Sequence, residues 1–235
     1  MVRFSAEGLD LSGVLHLPTF EPSAVVVGCH GLMADKNSPK QLELAKGCNA
    51  VGLGYFRFDH RGCGESEGVF EHDTTLENRS SDLIAAIHAV NKKFGKKMPI
   101  GLFGSSIGGT VCLTAARRLS PFAIVTLATP VQSRAIHIPE GSPESLKNDI
   151  FKNRLAFDII DTIGPIDHIL IIHGSNDETV PVENAHTLYR LADDPKKQLI
   201  LEGADHRISD TAHQDIFLQF TVRWLADCFK HPVRG

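Results

Sequence analysis

The chain has 235 residues, 42% apolar and 22% charged, which suits one globular domain, residues 1–235, with a sizeable core. A net charge of −4 and a pI near 6.3 leave no electrostatic footprint for nucleic acid, and no apolar run approaches membrane-spanning length. Five cysteines, odd in number and without Cys-x-x-Cys spacing, argue against both a disulfide framework and a zinc site.

Residues 2–6 and 11–17 read as two short strands joined through Glu7-Gly8-Leu9-Asp10, with Leu11, Gly13, Leu15 and Leu17 alternating. The start, Met-Val-Arg-Phe-Ser-Ala-Glu, lacks the apolar stretch of a secretory leader, so a reducing, cytoplasmic setting is expected. Residues 24–29, Ala-Val-Val-Val-Gly-Cys, form a compact apolar run of the kind buried on both faces of a parallel sheet. It ends at His30-Gly31-Leu32-Met33. A helix is expected over 39–49 and a strand over 53–58, closing on the glycine-rich loop Asp59-His60-Arg61-Gly62-Cys63-Gly64-Glu65-Ser66. Leu76, Ser80, Leu83, Ile87, Val90 and Phe94 recur at three- and four-residue steps, the pattern of an amphipathic helix.

Met98 to Phe103 is another apolar strand, followed by Gly104-Ser105-Ser106-Ile107-Gly108-Gly109 and the helical periodicity of Val111, Ala115 and Leu119. Strand, sharp turn and helix are the context in which Gly-x-Ser-x-Gly marks a nucleophile elbow. Register selects Ser106, because centring the motif on Ser105 would put Phe103 and Ile107 at the glycine positions. Strands are expected at 122–127, 169–172 and 198–201, and helices at about 182–191 and 211–229. Between them, residues 129–165 are irregular, with Pro130, Pro139 and Pro143 early and a candidate helix over 149–160. Strands alternating with helices after an initial hairpin predict an α/β fold with a mostly parallel open sheet, its active residues at the carboxyl ends of strands.

Acyl transfer by a serine requires a base and an acid that orients it. Among 12 histidines, His206 stands just past a strand and before a helix, and Asp177 bears the same relation to the preceding strand. Asp59 and Asp205 are the competing acids; Asp205 reads more simply as a loop residue. His30 is placed to shape the loop whose Leu32 amide joins that of Ile107 as an oxyanion hole. Cys29 and Cys63 lie near the expected site, but the elbow carries serine. His137, His168 and His213 lack ligand spacing, so no metal is expected.

Taken together, His30-Gly31, Asp59-x-Arg61-Gly62-x-Gly64-x-Ser66, Gly104-x-Ser106-x-Gly108-Gly109, His173-Gly174-x-x-Asp177-x-x-Val180-Pro181 and Gly203-Ala204-Asp205-His206 resemble the α/β-hydrolases of the small esterase and serine-aminopeptidase-like group. The resemblance spans residues 30–206. It implies a central sheet of about eight strands flanked by helices, with a short cap between the sixth and seventh strands, at about 129–165. It also implies Ser106 as nucleophile, His206 as base, Asp177 as acid, and the Leu32 and Ile107 amides as oxyanion donors. The expected activity is cofactor-independent hydrolysis of small carboxylic esters, with His30, Gly31 and Phe157 facing substrate and Ile136, Ile138 and Phe151 beside Phe157 in an acyl pocket. The expected partner is a small-molecule ester, not nucleic acid or a membrane. A thioesterase, a short-peptide peptidase and a triad-retaining ligand sensor share the same motifs.

Overall fold

The computed structural model describes residues 1–138 and 154–230. A strand hairpin, β1 (Val2–Ala6) and β2 (Leu9–His16), opens the chain, and β3 (Val25–Cys29) follows with all five residues buried. Then come α1 (Pro39–Ala50), β4 (Gly54–Phe58), a single-turn α2 (Phe70–Asp73), α3 (Leu76–Phe94), β5 (Ile100–Ser105), α4 (Ile107–Leu119) and β6 (Ala123–Leu127). The final run is β7 (Ile169–Gly174), α5 (Glu183–Leu191), β8 (Lys196–Leu201) and α6 (Thr211–Lys230).

The eight strands form one sheet in the order β1-β2-β4-β3-β5-β6-β7-β8. The first two pairings are antiparallel and all the others parallel. Each parallel connection needs a crossover, and α1, α3, α4 and α5 supply those that follow β3, β4, β5 and β7. One apolar cluster packs the inner faces of α3, α4 and α5 (Leu83, Val111, Leu188) against one side of the sheet. A second packs α1 and α6 (Leu44, Phe217, Leu225) against the other. This covering of both sides explains why the central strands read as continuous apolar runs.

The reversal of strand order places β3 between β4 and β5, so the chain leaves the carboxyl ends of β3 and β5 side by side, with Cys29 opposite Gly104. Crevices at such a switch point are where open α/β sheets bind ligands. The amphipathic helix expected from the 76–94 periodicity is α3, capped by the Thr75 side chain accepting from the Asn78 amide at 3.0 Å. Between β6 and β7 the structure differs from the sequence pattern. The candidate helix over 149–160 lies outside the described residues as far as 153. Beyond Leu155 the chain is not helical: Asp158 forms an isolated antiparallel bridge with Gln132, and the Ser133 amide donates to the Phe157 carbonyl at 2.9 Å. Apolar spacing alone does not distinguish a helix from a segment zipped to a neighbouring strand-like stretch.

Candidate active site

Ser106 sits between β5 and α4 with φ 53° and ψ −127°, a left-handed conformation that costs a non-glycine residue about 1–3 kcal/mol. Its neighbours hold it there. The Ser106 amide donates to the Leu127 carbonyl at 2.8 Å, and the Gly109 amide donates to the Ser106 carbonyl at 2.9 Å. A Cβ on Gly104 would overlap the Gly108 carbonyl and the Gly109 backbone, and one on Gly108 would overlap the carbonyls of Cys29 and His30. Both glycines are therefore dictated by strand-to-helix contact. Although Ser106 occupies the N-cap of α4, its side chain makes no capping bond, which leaves the hydroxyl available to the cleft. Ile107 is the first helical residue, so its amide has no intrahelical acceptor.

The loop after β3 lies against this turn. A side-chain carbon added at Gly31 would touch Ser106 Cβ at 3.6 Å. His30 is buried and uses both ring nitrogens: Nδ1 donates to the Gly31 carbonyl at 2.7 Å, and Nε2 accepts from the His60 amide at 3.2 Å. Burial, reinforced by His60 and Arg79, lowers its pKa well below the usual imidazole value. His30 is thus a neutral brace for the loop carrying Leu32.

Further along, Lys36 is buried, and its ammonium donates to Asp59 and, at 2.8 Å, to Glu65. The Lys36 amide donates to Asp59 Oδ1 at 2.7 Å, and the Lys36 carbonyl accepts from Arg57 at 3.0 Å. The 30–38 loop is thereby tied to the glycine-rich loop after β4. Neither Lys36 nor Asp82 stands out in the sequence. Asp82 lies on the inner face of α3 and receives the Arg61 amide and guanidinium at 3.0 and 2.8 Å. Neither carried a sequence signal: Lys36 stands between Asp35 and Asn37, and Asp82 follows Ser80-Ser81, as in an ordinary solvated stretch.

Asp177 and His206 come together from the loops after β7 and β8. His206 Nδ1 lies 2.9 and 2.8 Å from Asp177 Oδ1 and Oδ2. Asp177 Oδ1 also accepts from the Thr179 and Val180 amides at 2.9 and 2.7 Å, and His173 Nε2 stands 3.2 Å from Oδ2. Burial pushes the Asp177 pKa up, but bonds from His173, His206 and the Val180 amide outweigh it and hold the carboxyl well below the ordinary carboxylate range. Asp59 and Asp205, the other acids near the motifs, are engaged elsewhere: Asp59 with Lys36, and Asp205 with the Ser209 amide and hydroxyl at 2.7 and 2.6 Å.

Ser106 and His206 line one cleft of about 1010 Å³ with His30, Gly31, Leu32 and Ile107. Ile136 and Ile138 line it as well. Phe157 does not; it packs against the core cluster on the side of the sheet that α3, α4 and α5 cover, its backbone carbonyl accepting from the Ser133 amide. Phe151 lies outside the described residues. Among the described residues no cluster of His, Cys, Asp or Glu has the arrangement of a metal site, and no helix is long and apolar enough to cross a membrane.

Residues 20–148 match the family described as serine aminopeptidase, S33. The protein YfhR of Salmonella typhi is 29% identical over 161 residues, covering 64% of this chain and 54% of its own. Human alpha/beta hydrolase domain-containing protein 17B is 28% identical over 179 residues, covering 75% and 58%. The chain thus spans little more than half the length of these relatives. Among solved structures, Est1E from Butyrivibrio proteoclasticus with bound ferulic acid superposes with a TM-score of 0.80 at 21% identity, covering 98% of this chain and 100% of its own. With its sheet order, its elbow and more than half its length matched, this chain belongs to the serine aminopeptidase, S33, family of α/β-hydrolases.

Proposed function

We propose that this hydrolase cleaves small carboxylic esters through an acyl-enzyme, with Ser106 as nucleophile, His206 as general base and Asp177 as the acid that orients it. The observation that carries the reading is the pair of contacts from His206 Nδ1 to a buried Asp177, in the cleft that Ser106 lines from its strained turn. With Nδ1 held as a donor, Nε2 is the acceptor. His206 Nε2 takes the Ser106 proton as Oγ bonds to the ester carbonyl carbon. The charge gathering on the carbonyl oxygen meets the Leu32 and Ile107 amides, the latter at the positive end of α4. The carbon–oxygen bond to the leaving group breaks as Nε2 returns that proton to the departing oxygen. Water then gives a proton to Nε2 and attacks the acyl carbon. Release of the acid restores the Ser106 hydroxyl. No step calls for a cofactor.

Ser106 and His206 share the cleft without a direct hydrogen bond, the loose geometry such pairs have before substrate tightens them. Ferulic acid bound to the structurally similar Est1E is consistent with carboxylate products in a site of this shape. Five cysteines, all free and buried, fit a cytoplasmic setting. A fluorophosphonate probe should label the wild type and Ser105→Ala but not Ser106→Ala. Ser106→Ala should lower kcat on an activated ester by on the order of 10⁶. Labelling of the Ser106 variant at the wild-type rate removes the assignment. An ester panel that includes a thioester and an aminoacyl amide separates esterase from thioesterase and peptidase, and multiple turnover separates any enzyme from a ligand sensor.

A further inference from the structure

The cleft carries charge that the proposed chemistry does not use. Lys40, the second residue of α1, and Arg207, directly after His206, both line it. Neither makes a hydrogen bond or ion pair among the described residues, whereas the acids around them are engaged. Glu43 pairs with Lys46 at 2.7 Å, Glu178 accepts from the His206 amide at 3.2 Å, and Asp205 holds Ser209. Lys40 is half-buried, and burial lowers its pKa, with Asp205 raising and Arg207 lowering it through space, so the two cations and Asp205 are near neighbours. A half-buried ammonium without a bonded partner is costly to keep, and the N-terminus of the 12-residue α1 adds positive potential on the same side. The acid that protonates the leaving group in the proposed reaction is His206, so groups adjoining it face the leaving group and not the acyl chain.

We infer that Lys40 and Arg207 form a subsite for an anionic group, carboxylate or phosphate, on the leaving-group half of the ester. The inference rests on the reading of Ser106 and His206 given above and adds the chemical class of substrate to it. The cleft selects esters whose alcohol carries negative charge over neutral esters of the same size. Cations concentrated on one wall of a cleft raise capture of such substrates and lose that advantage as salt screens them.

The test compares kcat/KM for 4-acetoxybenzoate, 4-acetoxyphenyl phosphate and the neutral 4-acetoxybenzamide. Each anionic-to-neutral ratio is then divided by the same ratio in Lys40→Met and in Arg207→Met, which cancels intrinsic leaving-group reactivity. The wild-type ratio should exceed that of either variant on the order of tenfold, the lower end of what electrostatic focusing adds to capture, because Glu43 and Glu178 line the same cleft. The excess should shrink between 20 mM and 500 mM salt, over which the Debye length falls roughly fivefold. Lys93→Met, at the far end of α3, should leave the ratio as in wild type. The larger of the two anionic ratios identifies carboxylate or phosphate as the preferred group. A second arm measures 4-acetoxybenzoate and 4-acetoxyphenyl phosphate binding to Ser106→Ala by calorimetry. Binding that Arg207→Met weakens, with no ester of the panel turned over by the wild type, keeps this subsite and overturns the esterase reading. Ratios that neither substitution changes, or anion binding to Ser106→Ala that neither substitution weakens, overturn the subsite while leaving the esterase reading intact.

Discussion

Replacing Asp177 by Asn tests the proposed triad more sharply than deleting any member, because it keeps the volume and changes one atom. Oδ1 receives the Thr179 and Val180 amides at 2.9 and 2.7 Å, and two N–H donors leave no place there for an amide nitrogen. The Asn oxygen must therefore keep that position. Its NH₂ falls where Oδ2 was, facing His206 Nδ1 at 2.8 Å and His173 Nε2 at 3.2 Å. A donor opposite Nδ1 disfavours the Nδ1–H tautomer, whose other acceptor, Oδ1 at 2.9 Å, already takes two amides, so the ring proton shifts toward Nε2, the nitrogen that should take the Ser106 proton. Loss of the correct tautomer and of the carboxylate that stabilises the imidazolium costs on the order of 10⁴ in kcat, ~5 kcal/mol at 1.36 kcal/mol per decade. KM should change far less. The assay is kcat on one activated ester for Asp177→Asn and Asp205→Asn, with folding followed by thermal melting. Asp205→Asn, which loses contacts only to Ser209, should stay within a few-fold of wild type.

A pH arm adds an independent reading. The Asp177 carboxyl is held below its unfolded value of about 4, so its stabilisation is fully present above that pH and is lost as pH falls through the folded value. Wild type should therefore lose more Tm than Asp177→Asn between pH 5 and pH 3. An Asp177→Asn enzyme within tenfold of wild type, beside a crippled Asp205→Asn, refutes the reasoning.

Three further outcomes are expected. Gly108→Ala drives a Cβ into the carbonyls of Cys29 and His30; overpacking of roughly 1–3 kcal/mol should lower Tm by about 2–10 °C, read by calorimetry, with activity falling further because the Leu32 loop is displaced. Lys36→Met leaves Asp59 charged and buried, a loss of about 3–5 kcal/mol by denaturant melting; Lys36→Met with Asp59→Asn should recover a good part of it, and full additivity of the two single losses would show that the pair is not coupled. Ile136→Ala, which enlarges the cleft, should shift an ester panel toward longer acyl chains, whereas Phe157→Ala should lower stability and leave the chain-length profile unchanged.

The positions of the strands and helices were open to reading in one dimension because each reports local physics. The Val25–Cys29 run is apolar throughout because helices cover both sides of β3, and the spacing of Leu83, Ile87 and Val90 follows from one buried face of α3. The elbow is local in its spacing, two glycines four positions apart around a serine, although Gly108 is required by the carbonyls of Cys29 and His30 from the neighbouring strand. What the sequence did not determine involves residues brought together across the chain. Asp177 stands out among Asp59, Asp177 and Asp205 by its place past a strand, but only packing shows which partner each meets: Lys36 for the first, His206 for the second and Ser209 for the third. Phe157 is an apolar residue in a segment that lines the cleft at one end, yet its pairing with Ser133 turns it to the core. Lys40 and Arg207, 167 positions apart by their numbers, line one cleft because α1, which carries Lys40, and α6, which follows Arg207, pack on the same face of the sheet. Local patterns record which surface a residue buries. Which charges meet depends on strand order, and that was settled only when the whole sheet assembled.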